Sequence, residues 1–480
     1  MDNPERSIDA IWRIESGRII AVVARMVRDV SLAQDLAQEA LLAALEHWPQ
    51  GGVPDNPGAW LMAVAKNKAL DQLRQQALHL RKQEELGADA YARGEHVQPD
   101  FVDALDAELT DDIGDDLLRL IFTACHPVLS REAQTALTLR LLGGLSTSEI
   151  ARAYVVPEPT IAQRIVRAKK TLAEKRVPFE LPCGEERGRR LSVVLEVLYL
   201  IFNEGYAASS GPQWMRPTLC EEALRLARIL AQLAPHEAEA HGLQALLEIQ
   251  ASRLRARVDA EGRPILLMDQ DRTRWDRLLI HRGLAALQQA RVQGGQPGPY
   301  ELQARIAACH ATAATPEATD WQAIAAWYDE LLAQVPSPVV ELNRAVAIGM
   351  AYGPEAALPL VEKLQLKLPM QRYGLLHAVR GDLLSRLNRR IEARHAFEKA
   401  AELATNEQDK ALMQRRAADW QDRDLPASAR RLAAADSCAH QQYARDKQNA
   451  AQGDAGPTTQ DGSREPSICP TTIRQMAALY

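Results

Sequence analysis

Amide and basic side chains are concentrated in one stretch of this chain, STSEIARAYVVPEPTIAQRIVRAKK. If its second half is helical, one face carries Gln163, Arg167 and Lys170, with Arg164 and Lys169 beside them. Arginine can donate two hydrogen bonds to guanine, glutamine can pair with adenine, and lysine can neutralise a phosphate. The chemistry that this face predicts is contact with the bases and backbone of duplex DNA.

Two helices joined by a short turn are predicted to position these side chains. Ser146 and Glu149 have the spacing of a capping box at the start of the first helix, and Pro159 fits the first position of the second helix. The predicted buried stripe of the second helix contains Ile161, Ile165, Ala168 and Leu172. A basic face can be merely solvated, but the cap and the proline turn together favour a DNA-binding helix-turn-helix.

An acidic helix surface is predicted nearer the N-terminus, in SLAQDLAQEALLAALEH. Asp35 and Glu39 share a side of this helix with Glu46, and Gln38 and Leu42 lie next to them. An exposed leucine among carboxylates suits docking to a cationic partner helix, although a solvated acidic face with one stray leucine is common. The predicted buried side consists of Leu32, Ala33, Leu36, Ala37, Ala40, Leu41, Ala44 and Trp48.

The segment NPGAWLMAVAKNKALDQLRQQ predicts a further helix, with Asn56 as its N-cap and Pro57 at its first position. One side of this helix carries Trp60, Asn67, Asp71 and Arg74. Lys66 and Lys68 add positive charge nearby. An indole, an amide and cations can stack on unpaired bases and hydrogen-bond to them. Core packing is the alternative for Trp60, whereas a mid-helix Asn67 has poor helix propensity and needs another explanation.

Composition limits the class of protein. The 480 residues are 46% hydrophobic, with a formal net charge of -6, and helical spacing of apolar residues recurs almost throughout, which predicts an all-α protein. The six cysteines are scattered without CxxC spacing, so we expect neither a disulfide framework nor a zinc site. We expect no cofactor, no metal and no membrane segment or export signal, and therefore a cytoplasmic protein.

Five regions differ in composition, and they predict the domain organisation. Between Asp100 and Asp116 there are eight carboxylates and no Lys or Arg, a block too self-repelling to pack tightly. The predicted regions are a helical unit at 1–76, an acidic linker at 77–116, the helix-turn-helix unit at 117–178, a helical extension at 190–420 and a disordered tail at 421–480.

Alanines recur in the extension at the period of a helix-hairpin repeat. Ala323, Ala357 and Ala393 are 34 and 36 residues apart, and each is followed four residues later by a large apolar residue. These apolar residues are Trp327, Val361 and Phe397. Together with Gly381, the last unit has the spacing of a tetratricopeptide repeat, which predicts a divergent helical array. An ordinary helical bundle remains the alternative.

Three motifs in one order resemble a known family. DLAQEALLAALEHWP, NPGAWLMAVAKNKALDQLR and LSTSEIARAYVVPEPTIAQRIVRAKKTL resemble the two domains of extracytoplasmic-function (ECF) sigma factors of the sigma-70 family. The resemblance covers about residues 8–176, and the remainder resembles the tetratricopeptide-like extension of one subgroup. It implies core RNA polymerase and promoter DNA as partners, with a protein or small-molecule signal received by the extension.

The resemblance also implies a role for each motif. Docking to the polymerase is implied for Asp35, Gln38, Glu39 and Leu42. Contact with the opened start-proximal promoter element is implied for Trp60, Asn67, Lys68 and Arg74, with the loop at residues 50–55 holding a flipped base. Contact with the upstream element is implied for Ala162, Gln163, Arg164, Val166, Arg167 and Lys170. We further hypothesise that the linker carboxylates, including Asp115 and Asp116, mimic nucleic-acid phosphates near the polymerase cleft.

Two other classes of protein fit parts of the sequence. A stand-alone helix-turn-helix regulator with a helical sensor domain would bind DNA without polymerase, but it leaves the acidic helix and the Trp60 helix unexplained. A helical enzyme would use Asn203, Glu204 and Tyr206 of LYLIFNEGYAASSG, yet no nucleophile, phosphate loop or metal spacing accompanies them. The adjacent pair Cys309 and His310 is more typical of a core. The sequence therefore predicts a binding protein that is not an enzyme.

Overall fold

Residues 4–87, 113–154, 156–208 and 214–420 are described by the computed structural model. They form nineteen α-helices and no β-strand, which confirms the all-α prediction. The first helices are α1 Pro4–Val27, α2 Val30–Gly51, α3 Pro57–Gly87, α4 Ile113–Ala124, α5 Arg131–Leu141, α6 Thr147–Tyr154 and α7 Glu158–Glu174. They are followed by α8 Gly184–Tyr206, α9 Pro217–Leu233, α10 Ala238–Ala251, α11 Arg277–Val292 and α12 Pro299–Thr312. The last are α13 Trp321–Gln334, α14 Pro338–Tyr352, α15 Pro354–Gln365, α16 Leu368–Gln371, α17 Gly374–Arg386, α18 Arg390–Leu403 and α19 Glu407–Ala418.

The chain divides into two compact units. The first contains Met1–Tyr206, Met215–Ala251 and His281–Pro297. The second contains Ala207–Trp214, Ser252–Ile280 and the chain from Gly298 onward. Residues of the predicted extension are thus shared between the two units. The predicted domain boundaries stay a prediction.

Helices α1, α2 and α3 pack against one another in the first unit. α2 begins where the Asp29 carboxylate accepts hydrogen bonds from the backbone N–H groups of Ser31 and Leu32. Its predicted buried side is confirmed except that Leu32 and Leu41 are half-buried. α2 continues to Gly51, so the loop expected at residues 50–55 is shorter than predicted.

Helices α4 to α7 form the second group of the same unit. α4 packs on α1, while α5 and α6 both pack on α7. Asp116, which the sequence assigned to the acidic linker, lies in α4 and is fully buried. Its carboxylate forms an ion pair with Arg25, with Nε 3.1 Å from Oδ2, and accepts a hydrogen bond from Arg119 Nη1 at 2.6 Å. Because it is engaged by two arginines, Asp116 is not available to act as a phosphate mimic, and that part of the hypothesis is wrong.

Helices α8, α9 and α10 of the first unit pack on each other, and α8 also packs on α4 and α5 while α9 packs on α4. Arg190 donates to the Phe122 carbonyl at 3.0 Å, and Arg131 forms an ion pair with Glu196. The segment considered for an enzyme site lies at the end of α8. There Asn203 and Tyr206 are buried and Glu204 forms an ion pair with Arg216, so these side chains stabilise the helix packing.

Consecutive helices of the second unit pack as hairpins from α12 to α19. Gly381 of α17 lies against the ring of Phe397 in α18, and a Cβ added at Gly381 would come within 2.7 Å of that ring. The two later alanines of the predicted repeat, Ala357 and Ala393, are buried, whereas Ala323 is half-buried. The alanine spacing therefore predicts a buried position in two of the three cases. The assignment to the tetratricopeptide class stays a prediction.

Two predicted regions fall largely or wholly outside the described residues. Most of the acidic linker, including Asp111 and Asp112, and the tail at 421–480 belong to this part of the chain. α3 reaches Gly87 and α4 starts at Ile113, so both helices extend into the predicted linker. Across the described helices, none combines the length and the apolar character needed to cross a membrane.

Candidate nucleic-acid and protein interfaces

The helix-turn-helix is built from α6 and α7. Ser146 Oγ accepts from the Glu149 N–H at 3.1 Å, and Glu149 Oε2 accepts from the Ser146 N–H at 2.8 Å, which confirms the capping box. Burial opposes ionisation of Glu149, but the hydrogen bonds with Ser146 and the ion pair with Arg13 outweigh it and hold its pKa below the usual value. Pro159 occupies the second position of α7, one later than predicted, where its missing N–H still removes no helical bond.

The recognition face of α7 is open. Ile161, Ile165, Ala168 and Leu172 are all buried, as predicted. On the opposite side the exposed residues are Ala162, Gln163, Val166, Arg167 and Lys170, while Arg164 is half-buried. Val166 is 64% exposed, which is unusual for a large apolar side chain. A helix with a buried stripe on one side and amide, guanidinium and methyl groups on the other can enter a major groove.

The acidic face of α2 is also exposed. Asp35 and Glu39 are exposed and Gln38 is half-buried. Leu42 is 58% exposed, so the apolar side chain predicted for docking is accessible. Glu39 accepts a hydrogen bond from Lys68 Nζ of α3 at 2.8 Å. This contact brings together two residues that the sequence assigned to different partners.

The side of α3 predicted to contact unpaired bases is only partly free. Asn56 Oδ1 accepts from the Ala59 N–H at 3.1 Å, which confirms the N-cap. Trp60 is half-buried because its ring packs edge-on against Trp48, with centroids 5.4 Å apart. Asn67 and Arg74 are exposed further along the helix. Trp60 thus contributes to the core, whereas the exposed side chain of Asn67 can contact a ligand.

Sequence reasoning missed the charged cluster where α1, α2, α4 and α7 meet. Arg25 and Asp116 are paired there, and Arg28, Lys169 and Arg176 line the same cleft. The only sequence signal was the run of bases at the end of α7, which had been interpreted as part of the DNA-facing side. For the residues that can be described, no grouping of three His, Cys, Asp or Glu side chains could hold a metal ion.

Comparison with protein families identifies three segments of the chain. Residues 12–78 match Sigma-70 region 2, and residues 119–172 match Sigma-70, region 4. Residues 190–291 match a family of unknown function (DUF6596). The first two matches coincide with the helices that carry the acidic face of α2, the α3 side chains and the helix-turn-helix.

Relatives match either most of the chain or little more than a third of it. An uncharacterised protein of Rhizobium meliloti is 45% identical over 390 residues, which is 81% of this chain and 90% of that protein. The RNA polymerase sigma-H factor of Pseudomonas aeruginosa is 28% identical over 176 residues, 36% of this chain and 89% of that protein. A probable ECF RNA polymerase sigma factor of Mycobacterium tuberculosis is 25% identical over 182 residues, 38% of this chain and 59% of that protein. No solved structure matches the chain.

Proposed function

Because the chain belongs to the sigma-70 family of RNA polymerase sigma factors, we propose that it joins core polymerase and directs it to promoters with two recognition elements. The observation that carries this proposal is the order of two sigma-70 domains, each with an exposed polar face on a helix whose other side is buried. A factor of this kind initiates transcription and is not an enzyme. Its place of action would be the cytoplasm.

Core polymerase would bind the exposed face of α2. Asp35 and Glu39 offer carboxylates to a cationic helix, and the exposed Leu42 adds an apolar contact at the centre of the charged face. Gln38 supplies a hydrogen-bonding amide beside them. Since Glu39 already accepts from Lys68, docking would exchange this internal pair for an intermolecular one.

Promoter DNA would bind two helices. Trp60, Asn67, Lys68 and Arg74 of α3 would hold the unpaired strand of the start-proximal element. The upstream element would enter the groove against α7, with contacts from Ala162, Gln163, Arg164, Val166, Arg167 and Lys170. The exposed methyl groups of Ala162 and Val166 suit contact with thymine methyl groups, while Gln163 and Arg167 suit adenine and guanine.

The helices after α7 would regulate the sigma domains. α8 packs on α4 and α5, and α9 packs on α4, so a change in these two helices would reach the helix-turn-helix domain directly. The hairpins of the second unit would receive a protein or small-molecule signal, as a divergent tetratricopeptide-like array. The exposed face of α7 also suits a stand-alone regulator, which is the second candidate function, but that function gives no role to the exposed acidic face of α2.

The test is binding to bacterial core polymerase, measured by size-exclusion chromatography and fluorescence anisotropy of the labelled full chain. We expect Asp35→Arg/Glu39→Arg to weaken binding by about tenfold or more, because like charges then face the polymerase. Asp35→Arg alone keeps the Glu39–Lys68 pair and should weaken binding less. The charge-matched control Glu221→Arg/Glu330→Arg changes two exposed helix carboxylates elsewhere and should bind normally. Equal binding by wild type and both double variants would contradict the proposed docking face.

A further inference from the structure

A cleft of about 670 Å³ lies within the first unit, between the start of α2 and the end of α7. Its wall includes the last turn of α1, the side of α4 and the segment Val177–Glu180 that follows α7. The volume is within the range of small-molecule sites. The roles proposed for the recognition face of α7 and for the acidic face of α2 do not explain this cleft.

The cleft is strongly cationic. Five of its lining residues are positively charged, namely Arg25, Arg28, Arg119, Lys169 and Arg176. Arg25 and Arg119 are compensated by the buried Asp116 behind them. Of the two acidic lining residues, Asp29 is engaged as the cap of α2 and Glu180 is exposed. The site therefore has an excess of positive charge from side chains and does not depend on the N-terminus of α2.

Three of the five cations, Arg28, Lys169 and Arg176, have side chains that form no ion pair or hydrogen bond with the residues that the structure describes. Lys169 is half-buried, and burial lowers its pKa, with Arg140 acting in the same direction and Asp35 and Asp29 in the opposite one. An ammonium that has lost part of its hydration is stabilised by an incoming anion. Lys169 is thus a cation of the cleft that an anion would stabilise.

Backbone conformation places the other two cations at the cleft. Arg28 has φ 52° directly after α1, and Arg176 has φ 49° just after α7. Left-handed residues that end helices are usually glycine, because a Cβ is disfavoured there. Both helices end instead with an arginine in this conformation, and both arginines line the same cleft. Arginine is disfavoured in this conformation, so its presence at two positions of one cleft indicates that the side chains have a function there.

An aromatic ring completes the site. Phe179 is half-buried and lines the cleft together with the apolar side chains of Leu172 and Val177. A base can stack on an aromatic ring, and arginine and lysine bind phosphate oxygens. We propose that the cleft binds a nucleoside polyphosphate, with phosphates at Arg28, Lys169 and Arg176 and the base at Phe179.

Such a ligand would act on the packing of the sigma domains. It would contact α2 in region 2 and α7 in region 4 at once, so its binding free energy would stabilise the arrangement in which these helices are packed together. On the premise of the proposed function, the cleft is an effector site that restrains transcription. Binding itself does not depend on that premise.

The test is calorimetric titration of the full chain with ATP, GTP and sodium pyrophosphate in separate experiments. The informative variant is Arg28→Gly/Arg176→Gly, because glycine accepts the left-handed conformation and the fold is retained. Asn388→Gly is the matched control, since Asn388 has φ 57° after α17 and lies in the second unit. We expect wild type and Asn388→Gly to bind a nucleotide equally. The double variant and Lys169→Gln should each bind it more weakly, by about tenfold or more.

The aromatic contact has its own test. Phe179→Leu should weaken nucleotide binding and leave pyrophosphate binding unchanged, whereas pyrophosphate bound as tightly as ATP by wild type would overturn the assignment of a nucleoside. Absence of nucleotide binding by wild type, or equal binding by all variants, would overturn the site. The site would also be overturned if the cleft bound single-stranded DNA and no nucleotide, and if the glycine variant lost that DNA binding. In a transcription assay, the nucleotide should reduce the amount of transcript made with the wild type but not with the glycine variant. Nucleotide binding without this reduction would contradict the effector role and leave the binding site intact.

Discussion

Gln163 and Arg167 lie one helical turn apart on the exposed side of α7, opposite the buried stripe from Ile161 to Leu172. Burial of this stripe fixes the rotation of the helix about its axis. The side chains on the opposite side therefore face outward. The amide of Gln163 and the guanidinium of Arg167 can each form two hydrogen bonds with one base. Sequence preference at the upstream element should therefore depend on individual side chains of this face.

Replacing Gln163 by alanine should relax base preference at one position of the upstream element. The expected loss of discrimination is about 1–3 kcal/mol, because one bidentate contact is removed. Lys170→Ala is the comparison variant and should weaken binding to all sequences alike, since a phosphate contact carries no base information. Anisotropy measurements with the polymerase complex and duplexes substituted at each position would check this. A uniform loss for Gln163→Ala would assign it to the backbone.

His310 provides a prediction about pH. The side chain is buried with its ring edge-on to Trp321, and burial, together with Arg253 and Arg272, lowers its pKa to about 3. In the unfolded chain His310 takes up a proton below about pH 6.5, whereas in the folded chain it stays neutral. The unfolded state thus binds more protons, and stability should fall as the pH decreases from 6.5.

The expected loss of unfolding free energy from His310 is about 2 kcal/mol between pH 6.5 and pH 5. His310→Asn should make this part of the pH dependence shallower, while His395→Asn, at an exposed position of the same unit, should leave it unchanged. Urea unfolding followed by circular dichroism at several pH values measures the difference. Identical pH dependence in wild type and His310→Asn would show that the histidine is not held neutral.

Residue-level prediction succeeded where one helix decides the outcome. The buried stripe of α7 and the exposure of Asp35 and Leu42 follow from helical periodicity, and both were predicted. Asp116 was misassigned because its sequence neighbours are carboxylates, whereas its partner Arg25 comes from a distant helix. Sequence spacing contains no information on such a pair.

At the scale of elements, the hairpin of α17 and α18 depends on a small residue at the helix contact. Gly381 allows Phe397 to lie directly on α17, and Phe397 belongs to a core that extends from α14 to α19. The spacing of glycine, alanine and phenylalanine predicted this contact. It did not predict that Trp327 would be half-buried with Arg305 above its ring at 4.7 Å.

Gly381→Ala should destabilise the second unit. The new methyl group would come within 2.7 Å of Phe397 Cε1, and overpacking of this kind costs about 1–3 kcal/mol. Gly188→Ala is the matched control, because a Cβ there meets nothing within 4 Å and alanine should add up to about 1 kcal/mol of helix stability. Urea unfolding compares the two. Phe397→Leu should partly relieve the clash, and equal stabilisation by both alanines would contradict the hairpin contact.

At the scale of the whole molecule, charge is distributed unevenly. The chain has 57 Lys and Arg against 63 Asp and Glu, yet the end of α7 and the cleft beside it are basic. Non-specific affinity for DNA increases with the number of phosphates neutralised, so an acidic chain with one basic helix should bind free DNA weakly. In the proposed function, polymerase would supply the remaining contacts.

Assembly of the first unit was beyond prediction from the sequence. Arg13 of α1 pairs with Glu149 of α6, and Arg225 of α9 donates to the Leu142 carbonyl, and both contacts join segments far apart in the chain. Composition separated the sigma domains from the extension, but it could not show that α8 packs on α4 and α5 or that α9 packs on α4. Long-range packing is specified by shape and pairing across helices, which periodicity within one helix does not report.

The central claim is that this chain directs polymerase to a promoter. Run-off transcription with purified chain, bacterial core polymerase and the fragment upstream of its own coding sequence tests it most directly. We predict a discrete transcript that requires both proteins, that is strongly reduced with Asp35→Arg/Glu39→Arg and that persists with Glu221→Arg/Glu330→Arg. Binding of the chain alone to the duplex, with no transcript under any condition, would contradict the claim and favour a stand-alone regulator.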